Sequence, residues 1–138
     1  MGAEPQTVRD VMTHELVTMG RNDKLVTAND VMRLGRIRHL PVLDEDGNLA
    51  GIVTQTDLFR GAVLRSLGYG THTERRMLEA LFVKDAMTTD VLTTTAETPL
   101  GEAARTMLER KVGCLVVVDG TRPIGILTES DFVKLSAK

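Results

Sequence analysis

The feature that most constrains this chain is that it is written twice. Val8-Arg9-Asp10-Val11-Met12-Thr13 returns as Val83-Lys84-Asp85-Ala86-Met87-Thr88, an offset of 75 residues. Holding that offset over residues 8–44 gives eleven identities. A loop then shortens by one residue, and Gly51-Ile52-Val53-Thr54-Gln55-Thr56-Asp57 returns as Gly125-Ile126-Leu127-Thr128-Glu129-Ser130-Asp131. The 138 residues are therefore two copies of a unit of about 54, at 8–61 and 83–135, with residues 62–82 as a connector. A unit that small buries too little surface to be robust alone, so pairing with its twin is expected.

Each copy reads β-α-β-β-α. Leu16-Val17-Thr18 and Val91-Leu92-Thr93 are short β-prone pieces. Leu100, Ala103, Ala104, Met107 and Leu108 follow at the spacing of one apolar helix face. Thr98-Pro99 offers an N-cap and a first-turn proline, and Asp23 offers the cap in the first copy. Two β runs come next, His39–Leu43 with Ala50–Val53, and Cys114–Val118 with Ile124–Leu127. Asp44-Glu45-Asp46-Gly47-Asn48 and Asp119-Gly120-Thr121-Arg122-Pro123 turn between them. Closing helices start near Asp57 and Asp131. The fold class is α/β in the α+β sense, with small sheets covered by helices. In the connector, Gly68-Tyr69-Gly70-Thr71 breaks the chain, and Thr73 can cap a helix with Met77, Leu78, Leu81 and Phe82 on its apolar face. That helix packs on its own domain, or serves a dimer contact or a lid.

Composition narrows the function. Seventeen basic against nineteen acidic residues give a net charge of −2, and the pI is near 5.9. Nucleic-acid binders are usually basic, because phosphate neutralisation dominates their affinity, so this balance argues against nucleic acid. Aromatics are 3% with no Trp, which leaves few platforms for base stacking. One cysteine excludes an internal disulfide and any multi-cysteine metal site. The N-terminus lacks an apolar signal region, Gln6 fails the myristoylation pattern, and no apolar run can span a bilayer. A cytoplasmic protein is expected.

Catalytic constellations are missing from the sequence. His14, His39 and His72 lack metalloprotease spacing, and no phosphate-cradling glycine loop occurs. Cys114 sits in an apolar run, which suits a core or pocket-wall thiol better than a nucleophile. Thr54-x-x-Asp57 and Thr128-x-x-Asp131 admit two readings. As capping boxes they tie off a helix. As a ligand site, an ionised Asp can accept from both hydroxyls of a ribose, with Thr and the helix start beside it. Arg38-His39 could fork onto phosphate and add a proton-dependent donor, or be a solvated loop in the basic stretch from Arg33. The second copy has Gly113-Cys114 there, so one phosphate pocket and one weaker site are expected.

Three pieces carry a resemblance: Val-x-Asp-x-Met-Thr at the head, Ile37-Arg38-His39-Leu40-Pro41-Val42 in the middle, and Gly-ϕ-ϕ-Thr-x-x-Asp at the tail. In this order, with head and tail present twice, they resemble a tandem pair of CBS domains, the module named after cystathionine β-synthase. The resemblance implies a pseudo-symmetric pair, often called a Bateman module, whose copies associate through their sheets. It implies regulation without catalysis, and binding of AMP, ADP, ATP, S-adenosylmethionine, NAD or a cyclic dinucleotide in clefts between the copies. Thr54, Asp57, Thr128 and Asp131 would hold ribose. Thr18 and Thr93 would line the adenine, which would lie against Leu40 or Leu115, with Pro41 and Cys114 in the same walls. Such modules commonly form homodimers. With no effector domain visible in the sequence, the output is expected to act in trans on a partner protein. The rival expectations are a scaffold that dimerises and ignores nucleotides and, behind it, a nucleic-acid-binding accessory protein whose footprint would be Arg75-Arg76 on the 73–82 helix and the basic stretch 33–38.

Overall fold

Two three-stranded sheets form in the computed structural model, which describes residues 4–56, 58 and 71–137. The first copy contributes β1 (Met19–Gly20), α1 (Leu25–Gly35), β2 (His39–Leu43) and β3 (Leu49–Thr54), and the connector contributes α2 (Thr71–Ala80). The second copy contributes β4 (Thr93–Thr94), α3 (Leu100–Arg110), β5 (Cys114–Asp119), β6 (Arg122–Thr128) and α4 (Glu129–Ser136). Strand order is β1-β2-β3 and β4-β5-β6, with the first pair of each sheet parallel and the second antiparallel. The chain is thus the mixed α and β fold expected from its repeats. Asp57 and the Gly68-Tyr69-Gly70 break lie outside the described residues.

The packing divides the chain into a contiguous unit, Val17–Asp90, and a split unit, Met1–Leu16 with Val91–Lys138. These are not the sequence repeats. Each unit takes its Val-x-Asp-x-Met-Thr head from the other copy. In the split unit Val8 and Met12 join Leu100, Ala103, Met107, Leu115, Val117 and Leu127 in one apolar core. In the contiguous unit Val83 joins Leu25, Ala28, Met32, Leu40, Val42 and Val53. Backbone bonds fix each exchange. Leu100 N–H donates to Gln6 O and Leu25 N–H to Leu81 O, both at 2.9 Å. Thr13 and Ile126 exchange both backbone bonds, and so do Thr88 and Ile52. Each head therefore covers the open edge of a sheet, a site that would otherwise invite pairing with another chain.

Several local expectations shift. The first strand of copy one is Met19–Gly20 rather than Leu16–Thr18, because Met19 pairs with Val42 just as Thr94 pairs with Val117. Asp23 does not cap α1. Its carboxylate accepts the Gly20 N–H at 2.7 Å, and Lys24 occupies the N-cap. Pro99, not Thr98, is the N-cap of α3. Side-chain caps are dispensable at both helices because a backbone carbonyl two residues before the incoming head already takes the first free N–H. Leu108 is 78% exposed, since eight helical steps carry it about 80° away from Leu100. Helix α2 is already under way at Thr71, so Thr73 is not its cap. It packs on α1 within its own unit, with Leu78 in the core and Arg75 3.4 Å from Asp30.

Candidate functional site

In the split unit the tail motif lies where the last sheet strand runs into a helix, and in the contiguous unit Thr54 likewise ends the last strand. Thr128 ends β6 with extended backbone, and α4 begins at Glu129. The Thr128 N–H donates to Asp131 Oδ2 at 2.9 Å, and its hydroxyl lies 3.4 Å from the same oxygen. This is the capping box that the spacing allowed. The other carboxylate oxygen, Oδ1, accepts the Thr13 hydroxyl at 3.0 Å. Asp131 is 4% exposed and is the one buried charged side chain among the described residues. A carboxylate offers about four acceptor positions. The two short bonds and the longer one from the Thr128 hydroxyl take three of them, and the remaining acceptor position is on Oδ1, beside Thr13.

Thr13 escaped the sequence reading. It repeats as Thr88, a usable signal, but nothing in the sequence says that a head residue meets a tail 118 positions away.

Next to the junction, Cys114 faces Thr128 across β5 and β6, and His39 faces Thr54 across β2 and β3. The residue before each closes the turn onto the helix: Gln55 N–H donates to Arg38 O at 3.0 Å, and Glu129 N–H to Gly113 O at 3.2 Å. Arg38 and His39 therefore stand where Gly113 and Cys114 stand in the other unit, Arg38 exposed and His39 half-buried. Burial pushes the Cys114 thiol up from 9.0 to about 11, because the thiolate loses hydration in its apolar surroundings. A thiol raised in this way is not an activated one. Thr93 is exposed and opens β4, and Thr18 is half-buried and directly precedes β1.

Leu40, Pro41 and Leu115 do not line an open surface. Their side chains are fully buried, because β2 and β5 are the central strands of their sheets and are covered on both faces. Any adenine contact at these residues would fall to their backbone. Asp57, the fourth member of the tail pair, lies outside the described residues. Among the described residues no cluster of His, Cys, Asp and Glu could hold a metal ion, and no helix is long and apolar enough to cross a membrane.

Comparison with known proteins places this geometry. Residues 8–63 and 83–138 each match the CBS domain family. A CBS domain-containing protein of Dictyostelium discoideum is 33% identical over 132 residues, which cover 95% of this chain and 91% of that one. A homoserine O-acetyltransferase of Methanococcoides burtonii is also 33% identical, over 130 residues and 94% of this chain. This chain spans 24% of that enzyme's length. Among solved structures, CBSX2 in complex with AMP superposes with a TM-score of 0.79 at 28% identity, covering 96% of this chain and 97% of its own. The CBS domain pair of protein MJ0100, in complex with 5-methylthioadenosine and S-adenosyl-L-methionine, superposes at 0.76 with 26% identity, over 96% and 98%.

Proposed function

The chain belongs to the CBS domain family as a tandem pair of repeats, and from that premise we propose that it is a non-catalytic sensor of adenosine-containing ligands. AMP, ADP and ATP come first, then S-adenosylmethionine. It works as a homodimer in the cytoplasm, and a partner protein reads its liganded state in trans. The supporting observation is that both repeats match the family while two similar structures, at 26% and 28% identity, hold adenosine derivatives.

Thr128 and Asp131 take the ribose in the split unit, flanked by Thr93 and Cys114. Thr54 and Asp57 take it in the contiguous unit, with Thr18 beside it and Arg38 and His39 on the phosphate. The two sites differ in the ligand they prefer. Arg38 supplies a fork for phosphate oxygens, whereas Gly113 supplies nothing, so the split unit favours a ligand without a phosphate charge. Ligand coupling to the partner requires only that the ligand prefer one arrangement of the protein.

A thermal-shift panel of AMP, ADP, ATP, S-adenosylmethionine, NAD and cyclic di-AMP tests this reading. At 100-fold excess over Kd a ligand adds about 2.7 kcal/mol, a shift of several degrees. Arg38→Ala should reduce the AMP shift and spare that of S-adenosylmethionine, which carries no phosphate. No movement with any ligand would remove the sensor reading.

A second reading has its own observation. Asp131 at 4% exposure has internal partners for both oxygens, as a purely structural cap would. A scaffold of this kind dimerises in light scattering whether or not nucleotide is present.

A further inference from the structure

We propose that Thr13 is the positioning residue of the ligand site in the split unit: the head of one repeat sets the carboxylate with which the other repeat's tail binds ribose. This rests on the sensor reading above.

The chain of contacts is short. Thr13 is pinned by its backbone, donating its N–H to Ile126 O at 2.9 Å and accepting the Ile126 N–H at 3.1 Å. It cannot drift inward, because Gly125 lies directly beneath it. A Cβ built on Gly125 would stand 2.9 Å from Thr13 O and 3.0 Å from Met12 Sδ. With the backbone fixed, the Thr13 hydroxyl reaches Asp131 Oδ1 at 3.0 Å, while the Thr128 N–H holds Oδ2 at 2.9 Å. Two donors on opposite oxygens fix the plane of the carboxylate. Without Thr13 the carboxylate keeps only its Thr128 bonds on Oδ2, and its Oδ1 loses the donor that orients it. A ribose hydroxyl must meet that oxygen in a set orientation, and an unoriented acceptor loses the benefit of that preorganisation.

The positioning role makes the site a product of both copies. Asp131 and Thr128 alone, which the tail motif supplies, form a helix cap. Thr13, which arrives from the head of copy one, turns the cap into an oriented acceptor.

Isothermal calorimetry with AMP and with S-adenosylmethionine, on wild type, Thr13→Val, Thr13→Ser and Asp131→Ala, decides the matter. Valine keeps the shape and removes the hydroxyl, and serine restores it. Each protein is measured well below its own unfolding midpoint, so a merely structural role leaves the affinity of the folded protein unchanged. Loss of one charge-assisted hydrogen bond should weaken the binding step that Asp131→Ala removes by about tenfold or more. Thr13→Ser should return it to within about twofold, and the other step should not move. Should Asp131→Ala not fold, the contrast of Thr13→Val with Thr13→Ser decides alone. Binding by wild type that Thr13→Val leaves intact overturns the positioning role and spares the sensor reading. Binding of neither ligand by wild type overturns both.

Discussion

Gly125 and Thr13, 112 positions apart in the sequence, are in contact closer than any side chain would permit: a Cβ on Gly125 would sit 2.9 Å from the Thr13 carbonyl oxygen. Gly51 stands in the same relation to Thr88 at 2.8 Å. The glycine that opens each tail motif is there because the head of the other copy crosses over it.

Gly125→Ala and Gly51→Ala should therefore each destabilise by about 1–3 kcal/mol, since the obstacle is backbone and cannot swing aside. Gly101→Ala is the counter-case. In α3 its Cβ would meet nothing nearer than Arg105 Nη1 at 3.5 Å, and helix propensity should stabilise by about 0.5–1 kcal/mol. Urea denaturation of the three variants reads both signs. Equal effects would dismiss the crossing as the reason for the glycines.

Both long helices end on a charged residue in left-handed conformation, Arg36 with φ 54° and Lys111 with φ 55°. Their N–H groups bond to Met32 O and Met107 O, closing each helix. A side chain in this conformation costs about 1–2 kcal/mol, of which glycine would return part, because it is also freer when unfolded by about 0.5–1 kcal/mol. Lys111→Gly should stabilise by a net of about 0.5–1 kcal/mol. A thermal midpoint that falls instead would mean the lysine does more than end the helix.

The Asp10 carboxyl is held below its ordinary 3.8 chiefly by backbone N–H bonds from Gln6 and then Thr7. A carboxylate lowered on folding adds stability that is full above its unfolded value and is lost as pH falls through the folded one. The gap in unfolding midpoint between wild type and Asp10→Ala should be widest near neutrality and should narrow once the pH drops below the ordinary 3.8. A gap that stays constant into acid would show that the charge is irrelevant to the head.

Cys114, pushed up from 9.0 to about 11, has roughly a hundredfold less thiolate at pH 8 than an ordinary cysteine. Greater nucleophilicity at the higher pKa recovers about tenfold, so alkylation by iodoacetamide should run about tenfold slower than for a free thiol. Mass spectrometry of native and urea-unfolded protein supplies the comparison. Equal rates would mean that the thiol is open to solvent.

The sequence carried what depends on neighbours along the chain. The repeat located both sheets, the Asp44 and Asp119 turns fell where expected, and Thr128 with Asp131 formed the cap that their spacing allowed. Periodicity misjudged Leu108 because a pattern assigns a face but not its width. Asp23 and Thr98 looked like caps because the sequence does not reveal that Leu81 and Gln6 carbonyls arrive to fill that role. The same blindness hid Thr13. A repeat says that two heads and two tails exist; which head meets which tail is a fact of three dimensions.

The exchange of heads also sets an order in time. Residues 17–90 carry everything the contiguous unit needs, and they emerge from synthesis together. The split unit must wait for β5 and β6 before Val8, Met12 and Thr13 have a core to enter. Closing so long a loop adds only slowly to the entropic cost, but distant contacts form late. The head of the first copy is thus made long before the core that receives it, and is among the last segments to find its place.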